Sequence, residues 1–373
     1  MLYPLRFKPV YKDYLWGGRA LAALGKTLPS SGIVAESWEI SGHHHGPSII
    51  DNGPLAGRSL PDVVGTLGRT LMGSVISDQD LVKFPLLIKL IDARDQLSVQ
   101  VHPGDDFARQ HEQGESGKNE MWYVVSAQPG ARLIAGVNPG VSREQFACAV
   151  QDGACLDLLR AIPVQAGDVI NIPAGLVHAI GSGLVICEIQ QNSDTTYRVH
   201  DYDRRDSEGK TRPLHLEKAL QVIDFGRTDR TPLIAGLMIR QGDLSRRVLV
   251  MNRYFTVEEQ RIAGQAFYQT DGSRFRTITV LEGQGSLIYT DATGTVINDP
   301  LFPGDSFLIP ASLTTWQIEG TLMAITSCPT DVVHDAAMLA GDWSQSEHQP
   351  PVADALDWLK DQARLGRIAI EPI

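Results

Sequence analysis

AGDVINIPAGLVHAI, residues 166–180, reads nearly the same as PGDSFLIPASLTTWQI, residues 303–318. Gly167-Asp168 aligns with Gly304-Asp305, and Pro173-Ala174 with Pro310-Ala311, at one spacing. Each copy predicts a Gly-Asp turn, a strand, and a Pro-marked turn into the next strand. That unit recurs in small double-stranded β-barrels. The copies stand 137 residues apart, far enough to hold a whole domain, so a duplicated barrel is expected. In the place of His178 the second copy has Thr315. One barrel therefore reads as chemically equipped and the other as structural.

Outward from these copies the chain is a series of short β-rich runs, punctuated by 35 glycines and 21 prolines. PLLIKLIDA, LSVQVH, EMWYVV, ARLIAGV, DVINIP, LVICEIQQ, TYRVHDY, RTITVLEG, GSLIYT, SFLIP and LMAITS each read as a strand. Many short strands between turn signals predict a sandwich or barrel, not an alternating βαβ sheet. Helical periodicity is confined to a few places. Over 142–162, Ser142 and Gln145 stand in capping-box spacing before apolar residues at helical intervals, and 352–365 has the same period. The expected fold is mainly β, with a few helices inserted in the N-terminal half and at the C-terminus. The polar stretch 202–214, or the loop near 226–232, is the expected linker between domains 1–225 and 226–373.

A chain of 373 residues is too long for one typical core. Hydrophobic residues at 43% and charged residues at 21% are ordinary for a soluble globular protein. Lys and Arg number 33 against 44 Asp and Glu, a formal charge of -11, which argues against a nucleic-acid-binding surface. The opening MLYPLRFKPVYKDYLWGG is charged throughout and has no signal-peptide core. No apolar run approaches the roughly 20 residues of a membrane span. Cys148, Cys155, Cys187 and Cys328 form no CxxC pattern and read as reduced, packed thiols of a cytoplasmic protein.

In LSVQVHPGDD, residues 97–106, Gln100 and His102 share a strand face, Val99 and Val101 take the other, and Pro103 ends the strand. In GKNEMWYVV, residues 117–125, Lys118, Glu120 and Trp122 share a face in the same way. With His178, these strands offer four O/N donors: Gln100, His102, Glu120 and His178. Two imidazoles, one carboxylate and one amide oxygen suit a borderline ion such as zinc. One zinc per chain is expected, since neither QxH nor KxE recurs in 233–330. A ligand charge of -1 leaves a divalent ion net positive, as a site that polarises a bound oxygen requires. Each residue taken singly reads as a hydrogen-bonded core group; the joint pattern carries the metal reading. His43-His44-His45, in SGHHHGPS, is expected to be a surface loop, because consecutive positions of an extended chain cannot all face one ion. NGPLAGRS at 52–59 lacks the G-x-G-x-x-G arrangement of a nucleotide site.

QVHP, GKNEMWYV, IPAGLVHAIG and EIQQNSDTTYRVHDYDR resemble the signature segments of type I mannose-6-phosphate isomerases, which are zinc-dependent bicupins. Trp16–Gly18, AESWEISG (Ala35–Gly42) and NGPLAG add to the resemblance, which is dense over residues 3–215 and elsewhere amounts to a degenerate cupin. It implies two double-stranded β-helix (jelly-roll) barrels. Carried over residue by residue, it implies that Gln100, His102, Glu120 and His178 hold the zinc. It also implies that Arg198 is the active-site arginine and that Lys118 lies near the substrate. His200 departs from the family, which often has tyrosine there.

The implied reaction interconverts mannose 6-phosphate and fructose 6-phosphate. Moving a proton between adjacent carbons through an enediol or enediolate needs an acid/base group and a cation for the developing oxyanion. Lys118, His200 and a zinc-bound water are the candidates for the proton carrier. Arg198 and Lys118 answer the enediolate charge or hold substrate oxygens. Lys89, in the strand that leads into the ligand strand, joins Arg198 as a candidate for the phosphate. The bland alternatives are a solvated strand-end charge for Lys89 and an ion pair with Asp194 or Asp201 for Arg198. Two other functions stay open: a bicupin dioxygenase using iron or copper, and a non-catalytic sugar-binding cupin. The expected partner is a hexose 6-phosphate, with no nucleic acid and no membrane; the sequence does not fix the oligomeric state.

Overall fold

The computed structural model describes residues 2–206, 208–227, 232–347 and 354–370. Positions 228–231 of the second candidate linker, position 207 of the first, and positions 352–353 of the C-terminal periodic stretch lie outside the described residues.

The repeat is one turn built twice. Gly167 and Gly304 have φ of 88° and 86°, a left-handed conformation that side chains with a Cβ rarely adopt. Asp168 Oδ2 accepts from the Gln165 amide at 2.9 Å, and Asp305 Oδ2 from the Phe302 amide at 2.8 Å. Gly167 and Gly304 donate to the carbonyls of Val124 and Val280 respectively. Past the proline the copies drift by one residue. Leu176 and Leu313 both face a core, but Val177 alone separates Leu176 from His178, whereas Thr314 and Thr315 are both exposed before Trp316 turns in. The inward place of His178 thus belongs to Trp316, which corrects the alignment with Thr315.

The chain is mainly β, and its sheets account for nearly all the strand runs expected above. In the N-terminal half a six-stranded sheet runs in the order Val169–Ile172, Glu120–Ala127, Leu184–Gln191, Leu86–Ala93, Glu36–Ser41, Val10–Lys12. A five-stranded sheet runs Tyr197–His200, Val99–Val101, His178–Ile180, Arg132–Val137, Leu159–Pro163. Period-two alternation sends one face of each inward. Ile91, Trp122, Val124, Ile170 and Ile186 of the first meet Leu133, Ala135 and Ile180 of the second in one core.

The outer face of the five-stranded sheet carries Val99, Val101, Val177, Ala179 and Val199 and packs against Phe146 and Ala219 of two helices, Arg143–Gln151 and Leu216–Val222. The outer face of the six-stranded sheet (Ile88, Leu90, Met121, Tyr123, Cys187) shares a core with Leu249, Phe255, Val257, Phe275 and Ile325 of the C-terminal half. That half supplies seven strands of a nine-stranded sheet, in which Thr256–Gln269, Arg276–Thr290 and Thr315–Cys328 pair along most of their length. Two short strands from early in the chain, Leu5–Lys8 and Ile49–Ile50, join its edge, with Leu5 opposite Leu308.

The helices depart from expectation in detail. Ser142 does form the capping box with Gln145, but the helix ends at Gln151; Gly153 follows with φ of 72°, and Leu159–Pro163 is a strand. Helix Ala355–Arg364 is capped by Asp354 and packs beside Val332–Ser346, a helix that the sequence reading did not single out. No helix among the described residues is long and apolar enough to cross a membrane.

Candidate active site

The two inner faces of the N-terminal sheets bring the predicted donors together. His178 stands opposite Gln100 in register, and Ile172 opposite Glu120. His102, Glu120 and His178 are all buried, each with one ligand atom within 4.8 Å of the others. His102 Nε2 lies 3.1 Å from Glu120 Oε1, and His178 Nε2 lies 3.8 Å from Glu120 Oε2. Behind them, His102 Nδ1 meets the Thr195 carbonyl at 2.9 Å and His178 Nδ1 the Leu176 carbonyl at 2.8 Å. A carbonyl only accepts, so each Nδ1 carries the proton and each Nε2 keeps its lone pair for the centre. Burial pushes His102 down to about 3, with the Lys118 charge adding to it, and burial lowers His178 as well; both rings are neutral at neutral pH.

Glu120 is held ionised. Burial pushes its carboxyl up, but the Lys118 ammonium outweighs this and holds it well below the usual carboxylate range. Among the described residues neither carboxylate oxygen makes a hydrogen bond, and its pairing is the ionic contact with Lys118. A buried carboxylate left in this way, facing two imidazole lone pairs, fits a bound cation. Gln100 lies beside these three, its carboxamide Nε2 3.4 Å from His178 Nε2 and its Oε1 3.3 Å from the Ser98 hydroxyl. A half-turn of that carboxamide presents oxygen to the centre instead. Lys118 Nζ stands 2.9 Å from Glu120 Oε1 and 3.4 Å from His102 Nε2, at the heart of the cluster.

Residues 4–123 match the family model for the catalytic domain of type I phosphomannose isomerase, and residues 246–329 match that for the cupin domain of mannose-6-phosphate isomerase. The mannose-6-phosphate isomerase ManA of Bacillus subtilis is 40% identical over 324 residues, spanning 87% of this chain and 98% of that one. This chain belongs to the mannose-6-phosphate isomerase family. The mannose-6-phosphate isomerase of Streptococcus mutans is 39% identical over 329 residues, 88% of this chain and 98% of its own. A crystal structure of the mannose 6-phosphate isomerase from Bacillus subtilis overlays with a TM-score of 0.80 at 35% identity, covering 87% of this chain and 99% of that chain. These relatives favour an isomerase and give the dioxygenase and non-catalytic readings no support.

Around the donors, this member of the mannose-6-phosphate isomerase family carries groups that the sequence reading handled unevenly. Arg198 pairs across the strands with Gln100, on the ligand side of the sheet. Its guanidinium donates to the Pro213 carbonyl at 2.9 Å, while its Nε is buried without a hydrogen-bond partner. The ion pair considered for it is not formed: Asp201 is taken by Arg204 and Arg212, and Asp194 by His45. His200 does not share its face. A register shift between Arg198 and His200 sets His200 opposite Val99, and its ring meets that of Tyr202 edge-on at 4.8 Å.

Lys89 is no solvated strand end. It is buried in mid-strand, 3.0 Å from Glu188 and 3.8 Å from Glu36, with its ammonium 5.4 Å from the centre of the Trp38 ring. Glu188 was missed by the sequence reading. It lies on the inner face two residues from Gln190, which pairs with Glu120, and its Oε1 accepts from the Trp122 indole at 2.8 Å. Burial, and then the charge of Glu120, raise its carboxyl above the ordinary range. The available signal was phase: in LVICEIQQ, Glu188 alternates with the inward Leu184 and Ile186.

The histidine tract was expected to be a surface loop. His44 and His45 are exposed, but His43 is buried against Trp38, and the chain turns here instead of running extended. Burial pushes His43 down to about 4, with Asp194 opposing the shift.

Proposed function

We propose that this chain interconverts mannose 6-phosphate and fructose 6-phosphate, with one zinc ion held by Gln100, His102, Glu120 and His178. The observation that carries this reading is the inner cluster. Two imidazoles locked by main-chain carbonyls turn their lone pairs onto a buried carboxylate that has no hydrogen bond of its own. When bound, zinc would supply Lewis acidity toward the sugar oxygens at the reacting carbons.

The rest falls to the chain. Lys118, beside Glu120 at the centre, is the group assigned to moving the proton, since His200 faces Tyr202 instead. Arg198, an always-charged planar donor without a carboxylate partner among the described residues, is assigned to the enediolate or the phosphate. Lys89 is assigned to substrate with it, although Glu188 and Glu36 already share its charge. Trp122, edge-on to the His178 ring at 5.2 Å, would help to keep water from the reacting carbons.

We also read the two β bodies as two cupin barrels, divided as 1–225 and 226–373, with Leu5–Lys8 and Ile49–Ile50 lent to the second. All four cysteines are free thiols, which supports a reducing, cytoplasmic setting.

The test is to purify the protein without added metal, measure its metal content, and follow mannose 6-phosphate by NMR. One zinc per chain with formation of fructose 6-phosphate is the expected result. Zinc-replete, folded protein that leaves mannose 6-phosphate unchanged would overturn the reading.

A further inference from the structure

Among the described residues, the His43-His44-His45 turn is the only group of metal-ligating side chains outside the inner cluster. Turning the chain brings the ring centroids to 4.4 Å for His43 and His44, 4.8 Å for His43 and His45, and 4.1 Å for His44 and His45. One nitrogen of each ring falls within 4.8 Å of the others. Sequence neighbours thus face one point, which an extended chain would not allow.

A second observation points the same way. His45 Nδ1 lies 2.9 Å from Asp194 Oδ2. In that pairing Nδ1 carries the proton and Nε2 keeps its lone pair, the arrangement found behind metal-bound imidazoles. His43 Nδ1 accepts from the His45 amide at 3.2 Å, at the long end of such bonds, and gives that bond up on joining the set. The neighbouring cation, Lys12, is engaged elsewhere: it donates to the His45 carbonyl at 2.8 Å and sits over the Trp38 ring.

We propose that this turn is a second metal site, separate from the inner cluster, that takes a borderline divalent ion such as Zn²⁺, Ni²⁺ or Cu²⁺. His43, His44 and His45 are its ligands, and Asp194 orients His45. Imidazole donors select such ions over Mg²⁺ and Ca²⁺. With neutral ligands, two of them exposed, the site binds more weakly and exchanges faster than the buried cluster with its carboxylate. Asp194 also feels the charges of Lys89 and Lys118, so an ion here adds positive charge beside the groups assigned to the substrate.

Tag-free protein is dialysed against a weak chelator, assayed for retained metal, and titrated with NiCl₂ by calorimetry. The expected result is a second, exchangeable class of about one ion per chain. His44→Ala/His45→Ala removes that class and leaves the metal retained through dialysis unchanged. Asp194→Asn weakens the class by about 10- to 100-fold, the usual effect of losing an orienting partner. Cu²⁺ added to the dialysed wild-type protein shows hyperfine coupling to more than one imidazole nitrogen by electron paramagnetic resonance, a readout that needs no variant to fold. An exchangeable class that survives in the double variant, or wild-type Cu²⁺ spectra without imidazole nitrogen, would overturn the proposal.

Discussion

Arg198 stands directly across an antiparallel strand pair from Gln100. The two carboxylates nearest in sequence are engaged elsewhere, Asp194 with His45 and Asp201 with Arg204 and Arg212. A guanidinium on the ligand side of the sheet, without a carboxylate partner among the described residues, fits the proposed role of meeting an anion that arrives with substrate.

Arg198→Ala is therefore expected to lower kcat/KM by about 10²- to 10³-fold, or about 3–4 kcal/mol, with little change in the unfolding midpoint. Arg198→Lys should rescue poorly, because it keeps the charge but loses the planar fork. Steady-state kinetics beside thermal unfolding decide the matter. Near-normal turnover in a readily unfolded Arg198→Ala protein would make the residue a structural one.

His178→Ala should weaken metal retention by more than the 10- to 100-fold typical of losing an outer partner, and should abolish activity. Its ring is buried on the strand beside Gln100, so the fold keeps a cavity there and the midpoint falls as well. Metal analysis after dialysis is the check, and full metal content in this variant would remove His178 from the ligand set.

Lys89→Ala separates two roles. If the ammonium mainly neutralises Glu188 and Glu36, its removal leaves buried carboxylates unpaired and costs about 3–5 kcal/mol of stability. A Lys89→Ala/Glu188→Gln double variant should recover part of that loss. KM for the sugar phosphate is measured on both. A rise in KM that the second substitution does not relieve assigns Lys89 to the substrate.

In the C-terminal half, Glu258 accepts from Arg246 at 2.6 Å and 3.0 Å, while Arg246 also reaches Asp342 at 2.6 Å. Burial pushes the Glu258 carboxyl up, but Arg246 outweighs it and brings it down from 4.5 to about 2. A carboxyl depressed by folding contributes stability that is complete above its unfolded value and is lost as pH falls from about 4.5 through 2. The shift corresponds to about 3 kcal/mol. Denaturant titrations between pH 6 and 2 should show this loss, and Glu258→Gln should flatten the dependence over that window.

Side-chain direction along a strand repeats every two residues, so QxH and KxE announced a shared face before any partner strand was known. Pairing between distant strands has no such local mark. Nothing near residue 100 says that His178 will stand beside it; the whole sheet decides that. The misreadings share a cause. One extra residue after Leu313 moves the inward place from Thr315 to Trp316, and a bulge turns His200 away from the ligand side; neither shift has a local mark in the sequence. Glu188 escaped because its strand is buried on both faces, where an apolar run hides a single inward acid. The helix Val332–Ser346 went unread because Ser344 and Gly341 interrupt its apolar pattern, although Asp331 caps it onto the His334 amide.

Strand Leu5–Lys8 has one neighbour close behind it, Ile49–Ile50, and another in Ser306–Ile309, roughly 300 residues further along. At the usual pace of synthesis the ribosome needs about 15–60 s to cover that stretch. Throughout that interval Leu5, a core residue of the finished molecule, lacks the strand with which it finally pairs. The nascent chain must carry an open sheet edge for most of its time on the ribosome. Slowing translation between positions 50 and 306 should therefore raise its demand for chaperones, even where every substitution that leaves the native contacts intact has no effect.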